Sequence, residues 1–439
     1  MYYNLSTTKK PKPKKNPAKK HPVDKKLLAM TVVVLLASLL LAFGITKLIQ
    51  HLTPAPEEPT QIDQPTAIDA NTDLNLAFLQ IESNKQNLIY SPLSIKNGLS
   101  LLNAGAAGTT KAQIENILGD VAILGKTATI KDKLSLANGV FIRNEFRDYV
   151  LKTYASNIEK SYNAEIVYSS FENSKTVDDW VKTNTLGLID QLGFTPRESI
   201  EMILVNALAI QLDWLHQFKT SDTTGRIFYT ADGKELTATT LTETTSSQDI
   251  RYYQDDSVTM LGLPLEKAGD AELEFITVMP STDLDSYIKS FNLADFNSKL
   301  ASSTTADTVK DGIVFYIPKF SFDYELKFKN DLIRLGVTDA FSSSLADFSN
   351  MASKPIYVSD AIHKANIDFS EKGIKAAAVT AAVMTIGSTM LGSEPQPLVI
   401  QIDHPFLFLI RDKNNDAIWF LGTVYQPNLW SDDAASYQM

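Results

Sequence analysis

Between Lys26 and Lys47 the chain runs for twenty residues without a charge, Leu27 to Thr46, and most are Leu, Val, Ala, Ile or Phe. At about 1.5 Å per residue such a helix is roughly 30 Å long, the thickness of a bilayer core. No other segment constrains the chain as much, because it divides the sequence into two parts with different surroundings. Lys9, Lys10, Lys12, Lys14, Lys15, Lys19, Lys20, Lys25 and Lys26 stand directly before it. The excess of lysine holds that arm in the cytoplasm and places everything after Lys47 outside. A cleaved signal peptide usually has a shorter apolar region and small residues at the cut; Ile45, Lys47, Leu48 and His51 make a poor cleavage site. The expectation is a single-pass membrane protein: 1–26 a basic cytoplasmic arm, 27–49 an anchor, 50–70 a tether, 71–428 a folded body and 429–439 a tail.

The tether carries Pro54, Pro56, Pro59 and Pro65 among Thr, Glu, Asp and Gln. That composition cannot build a core and reads as extended chain. Charge is segregated. The arm has a surplus of eight positive charges, and the whole chain is at −10, so the remainder stands at −18. So acidic a body argues against nucleic acid as a partner. There is no cysteine, which excludes disulfides, a thiol nucleophile, Cys-based zinc and a lipid-modified cysteine. The body must hold together through its core, and it is long enough to bury a large one.

From Asn71 onward no linker or repeat interrupts the sequence. Helical and strand patterns alternate, which predicts an α+β domain. Asp73–Ile81, Ile95–Leu102 (entered through Ser91-Pro92), Thr110–Leu118 and Thr176–Leu192 read as helices. Ile203–Leu212 suits a buried strand. Leu261–Leu265 and Leu273–Met279 read as a pair closed by Pro280, and Ile313–Ile317 as a strand running into Pro318-Lys319-Phe320. Phe406–Ile410 and Ile418–Val424 flank the turn Asp412–Asp416, a hairpin signal.

Residues 371–383 read Glu-Lys-Gly-Ile-Lys-Ala-Ala-Ala-Val-Thr-Ala-Ala-Val. Alanine is the strongest helix former, so the run has a plain helical reading. It has a second one: small side chains can enter a narrow space between strands. A loop of that kind could be cut and then taken into a sheet, which describes a single-use device and not a catalyst.

Signatures of familiar chemistry are missing: no G-x-S-x-G, H-E-x-x-H, P-loop or dinucleotide fingerprint occurs. His216, His363 and His404 lack metal-ligand spacing, and no metal or cofactor is expected. A dispersed Ser/His/Asp triad is not singled out by anything, and no enzyme activity is expected.

Several landmarks together resemble the serpin family over Asn71 to Pro427. Asn87-Leu-Ile-Tyr-Ser-Pro-Leu-Ser94 followed by Gly105-Ala-Ala-Gly-Thr-Thr110 is similar to the family's N-terminal signature. Val205-Asn206-Ala207 with Trp214 and Phe218 resembles its central motif. Pro318-Lys319-Phe320, Leu332 to Gly336, Ala340-Phe341 and Ala346-Asp-Phe-Ser349 occur in the family's order. Ser359, His363-Lys364-Ala365 and Glu371-Lys372-Gly373 resemble the approach to a reactive loop. His404-Pro-Phe-Leu-Phe408 and Phe420-Leu-Gly-Thr-Val424 with Pro427 resemble the C-terminal signature.

The resemblance implies one domain of three β-sheets and eight or nine helices with an exposed reactive-centre loop. It implies an irreversible inhibitor: a serine protease attacks the loop, forms a covalent acyl complex, and is distorted as the cut loop enters the main sheet. The hinge would be Glu371, Gly373, Ile374, Ala376, Ala377, Ala378 and Thr380, with Gly373 as pivot. Ile374 stands where inhibitory members usually have a small hydroxyl residue, and Lys375 where an acidic one is common. The family's spacing from Glu371 gives Gly387–Ser388 as the reactive bond, with Met390–Leu391 as the alternative register. Small residues suit elastase- or subtilisin-like pockets, and Met an elastase- or chymotrypsin-like one. No Arg or Lys lies between Lys375 and Arg411, which disfavours trypsin-like targets. Ser91, Ser94, Asn206 and His363 match a buried polar cluster under the opening of the main sheet. A monomer is expected. The anchor, tether and lack of disulfides suit a bacterial envelope protein. A non-inhibitory serpin serving as a binding or structural module is the alternative.

Overall fold

The computed structural model describes residues 73–119, 133–162, 164–374 and 396–430, all within the compact unit Ala67–Met439. The expected arm, span and tether lie outside them. Among the described residues no helix is long and apolar enough to cross a membrane. These residues form three β-sheets and eight α-helices.

The first sheet has the strand order Leu88–Tyr90, Ile418–Val424, Phe406–Asp412, Leu273–Pro280, Val258–Pro264, Arg251–Gln254, Thr304–Thr305. Each neighbouring pair is antiparallel. Its central strands are buried on both faces, which is why they read as unbroken apolar runs. The predicted 406–424 hairpin and the 258–280 pair are both here. A four-stranded sheet has the order Leu398–Gln401, Ile313–Pro318, Glu235–Thr245, Thr224–Tyr229.

The main sheet carries Glu165–Ser169, Leu134–Arg143, Met202–Ile210, Val358–Phe369 and Phe320–Lys327 in that order. The 202–210 strand is antiparallel to 134–143, and 358–369 is antiparallel to 320–327. The two central strands, in contrast, run parallel to each other, from Val358↔Met202 to Lys364↔Ala207. Such a contact cannot close through a hairpin; here the chain passes through both other sheets between Ile210 and Val358.

Local sequence explains several helices. Ser91 caps Pro92–Gly105, its hydroxyl accepting from the Ser94 N–H at 3.0 Å, with proline in the first turn. Asp73 caps Leu74–Glu82 in the same way. One expectation is corrected. The helix predicted over Thr176–Leu192 spans Lys175–Asn184 only. Leu186 and Gly187 adopt positive φ, 58° and 71°, which ends it. Ile189 and Leu192 are nevertheless buried, because the loop after the helix folds back on the same cluster.

Candidate functional site

The main sheet places three polar residues in one row. Asn138, Asn206 and His363 are direct partners across the 134–143, 202–210 and 358–369 strands. Helix 92–105 lies against this row with its N-terminus. His363 Nε2 accepts the Ser91 N–H at 3.0 Å, so Nδ1 carries the proton and donates to Asn206 Oδ1 at 2.8 Å. Asn206 Nδ2 donates to the Ser94 carbonyl at 2.6 Å and to Asn138 Oδ1 at 2.5 Å. Ser91, Ser94, Asn206 and His363 are fully buried, and Asn138 nearly so. The structure therefore brings together all four residues of the expected cluster. Asn138 completes it and was not legible, since a lone Asn in Leu-Ala-Asn-Gly-Val carries no signal. Burial pushes His363 down to about 3, so the ring is neutral at any ordinary pH. The Ser94 hydroxyl is buried without a hydrogen-bond partner among the described residues.

The row sits one residue before the central strands part. Beyond Lys364↔Ala207 the two strands no longer pair with each other: Ala365–Phe369 pair with Phe320–Tyr324, and Leu208–Ile210 with Leu134–Leu136. Gly373–Ile374 enters this mouth. Ile374 pairs antiparallel with Phe369 on one side, and Gly373 and Ile374 with Asp213 and Leu212 on the other. Gly373 is required here for space. A Cβ at this position would lie 2.2 Å from the Leu212 carbonyl oxygen, and Gly373 does not have positive φ. Gly373, expected as the pivot, is a point of close backbone approach. Ile374 is buried in the core cluster that holds Trp214, Phe218 and Phe369.

The base of the expected hinge is tied down from three sides. The Trp214 and Phe218 amides donate to the carbonyls of Lys372 (2.8 Å) and Glu371 (2.9 Å), and the Trp214 indole donates to Ser370 O at 2.8 Å. Glu371 accepts from Lys319 Nζ at 2.8 and 3.1 Å and from Thr223 Oγ1 at 3.0 Å. Burial alone would raise the Glu371 carboxyl; its bonds to Lys319, its own backbone and Thr223 outweigh this and hold it below its ordinary value. The remaining expected hinge and loop residues, Lys375, Ala376, Ala377, Ala378, Thr380, Gly387, Ser388, Met390 and Leu391, lie outside the described residues.

A Ser/His/Asp grouping does occur, at Ser247, His216 and Asp249. Both Asp249 Oδ2 (3.0 Å) and Ser247 Oγ (3.2 Å) meet the same ring nitrogen, Nε2. A relay needs the acid on one nitrogen and the hydroxyl on the other, so this group cannot activate the serine.

A family model described as serpin (serine protease inhibitor) matches residues 69–427. The chain belongs to the serpin family. An uncharacterized serpin-like protein of Methanosarcina mazei is 27% identical over 80% of this chain and 84% of its own. The leukocyte elastase inhibitor of Xenopus laevis is 28% identical, covering 80% of this serpin and 96% of the relative. Among solved structures, the thermophilic serpin tengpin in its native state aligns with a TM-score of 0.69 at 25% identity, over 81% of this chain and 92% of that one. Serpins as a family are inhibitors of proteases and not catalysts.

Proposed function

We propose that this serpin is an irreversible trap for elastase-, subtilisin- or chymotrypsin-like serine proteases, working by cleavage of its loop and insertion of the cut strand between 202–210 and 358–369. The observation that carries this reading is the pairing of Gly373–Ile374. A strand entering between two parallel strands from this end runs antiparallel to both; Ile374 already pairs so with Phe369 of one of them, and Gly373–Ile374 with Leu212–Asp213, just past the end of the other. Antiparallel pairing is slightly more stable per residue than the parallel contact it would replace, so completion is downhill once the loop is free. Insertion must push the central strands apart by about 4.8 Å, one strand spacing. The 2.8 Å bond between His363 and Asn206 spans that seam and cannot survive. The buried row is therefore a latch whose loss has to be offset by the new ladder bonds.

Gly387–Ser388 is the proposed reactive bond, with Met390–Leu391 as the other register, and a relative named leukocyte elastase inhibitor supports an elastase-like target. Leu27–Thr46 is proposed to hold the body outside the cell as an uncleaved anchor. One observation favours the non-inhibitory reading: Ile374, already locked in the core at a position where inhibitory members have a small residue. Incubation with elastase and subtilisin decides between them. The trap gives a denaturation-resistant complex and a released C-terminal peptide. Clean cleavage that leaves the protease fully active overturns it.

A further inference from the structure

The short helix Lys329–Arg334 follows the edge strand of the main sheet, and its buried face carries one residue that does not suit an apolar seam. Phe328, Leu332 and Val337 are buried apolar neighbours, whereas Asp331 is an acid with only 4% of its side chain exposed. A buried carboxylate needs a cation or several donors. Arg334, the cation beside it, stands 3.8 Å from Oδ1, too far for a hydrogen bond, and is itself 39% exposed. Asp331 Oδ2 is buried with no donor among the described residues.

What faces Asp331 is a second acid. Glu82, the last residue of helix Leu74–Glu82, lies within hydrogen-bonding reach of it. Tyr324, on the edge strand, donates to Glu82 Oε2 at 2.9 Å, and burial together with Glu82 keeps that phenol protonated. The other charged groups on the packed elements are engaged elsewhere. Lys329 donates to the Ser359 carbonyl at 2.9 Å, Glu325 pairs with Lys327, Asp73 caps its own helix, and Lys96 donates to Asn75 Oδ1 at 2.7 Å. Two acids served by one phenol are a donor short unless one carboxyl keeps its proton. Burial, with Glu82 beside it, pushes the Asp331 carboxyl up to about 7. A protonated carboxyl is itself a donor, which accounts for the oxygen that lacks one.

We propose that Glu82 and Asp331 share one proton and so form a pH-sensitive clamp between the first helix and helix 329–334. While the proton is held, Asp331 donates it to Glu82, and this bond joins the same two segments as the Phe78–Phe328 ring contact, 5.8 Å between centroids. When the proton passes to water, two anions face each other with a single phenol between them, and the short helix opens. The folded pair keeps its proton up to about pH 7, whereas the unfolded Asp331 loses it near pH 4. The contribution of the clamp is therefore full below about pH 4 and is lost progressively toward pH 7. The clamp does not depend on the trap reading.

The test compares the full chain with Asp331→Asn, whose amide donates to Glu82 at every pH as the protonated acid does only below neutrality. In urea melts between about pH 5 and 7, the ratio of the two unfolding constants should widen about tenfold per pH unit, the wild type losing ground as pH rises. Glu82→Gln supplies the missing donor from the other side and should gain on the wild type in the same way, which keeps the test open if Asp331→Asn does not fold. Hydrogen exchange reads the opening itself. The Leu332 and Leu335 amides, bonded to the Phe328 and Asp331 carbonyls at 2.9 Å, should exchange at least about tenfold faster in the wild type than in Asp331→Asn at pH 8, and nearly alike at pH 5. A ratio of unfolding constants that stays constant with pH in both variants would show that no proton is shared. A ratio that widens while the two amides exchange alike at pH 8 would overturn the clamp, because the proton would then be held without governing the helix.

Discussion

The sheet around Phe275 and the sheet around His363 differ in how far each is finished. In the first, every neighbouring pair is antiparallel, and Phe275 packs against Phe369 and Phe408 with ring centroids 4.8 and 5.5 Å apart. Its buried Glu274 is matched by both Arg251 and Arg411. In the second, two strands meet in parallel for six pairs and then part, with a row of polar side chains one residue before the parting. The ring of His363 is satisfied only by its neighbours across the seam and at the helix end. Among the described residues the first sheet has an unmet hydroxyl of its own, at Thr277, but no gap between its strands that a further strand could fill. On the trap reading proposed above, the main sheet does have a better arrangement, provided a further strand is supplied. If the proposed trap operates, low-energy packing and stored potential coexist in one chain by being assigned to different sheets.

The sharpest way to test this difference is to supply the strand. Cutting the segment 375–395 should raise the melting temperature by at least about 5 °C, because several new ladder bonds of about 1 kcal/mol each act on a domain large enough that 1 kcal/mol is worth about 1–2 °C. A nicked protein that melts where the intact one does would remove the distinction between the sheets. Next in size is Phe275→Ala, expected to cost about 3–5 kcal/mol in denaturant melts through the lost rings and the cavity. Since it strikes the finished sheet, it should lower the intact and the cut protein alike and leave their separation unchanged.

The same division runs through what the sequence made visible. The 406–424 hairpin was legible from two apolar runs and a turn of Asp, Lys and Asn, because all its determinants are local. The helix after Ser91-Pro92 was legible for the same reason. Glu235–Thr245, with six threonines, carries no apolar period; it is a strand because 224–229 and 313–318 pair with it on either side. In the site, Ser91, Ser94, Asn206 and His363 were reached through motifs. Asn138 was missed because its role exists only through cross-strand register. The pairing of Lys319 with Glu371, fifty-two residues apart, was invisible for the same reason. The close approach of Leu212 to Gly373 was not legible either, since it leaves no trace in the residues around the glycine.

Acidity should act on the seam and not on the finished sheet. Folded His363 binds a proton only near pH 3, whereas the unfolded ring does so around 6.5. Between those values the unfolded chain holds the extra proton. The contribution of His363 is therefore intact above about pH 6.5 and is lost as pH falls toward 3, at up to about 1.4 kcal/mol per pH unit. Asp331 opposes this: burial, with Glu82 beside it, holds its carboxyl above the ordinary value, so its contribution declines as pH rises. The measurement that isolates the ring is the difference in urea stability between the wild type and His363→Gln across pH 4 to 7. A gap between them that stays constant with pH would show that the ring is not held neutral by the fold.

The smallest effect separates two serines of the latch that look alike in sequence. The Ser91 hydroxyl accepts the Ser94 amide and caps helix 92–105, so Ser91→Ala should cost about 1 kcal/mol. The Ser94 hydroxyl, three residues on, is equally buried but bonds nothing among the described residues; its contribution to the row comes from its backbone carbonyl. Removing an unsatisfied buried hydroxyl while keeping the backbone should be neutral or stabilising by up to about 1 kcal/mol. Ser94→Ala should therefore leave the intact protein at least as stable as the wild type in denaturant melts. A loss as large as that of Ser91→Ala would mean that the hydroxyl has a partner in solution, and that the row is fully satisfied instead of carrying one unmet bond at the seam.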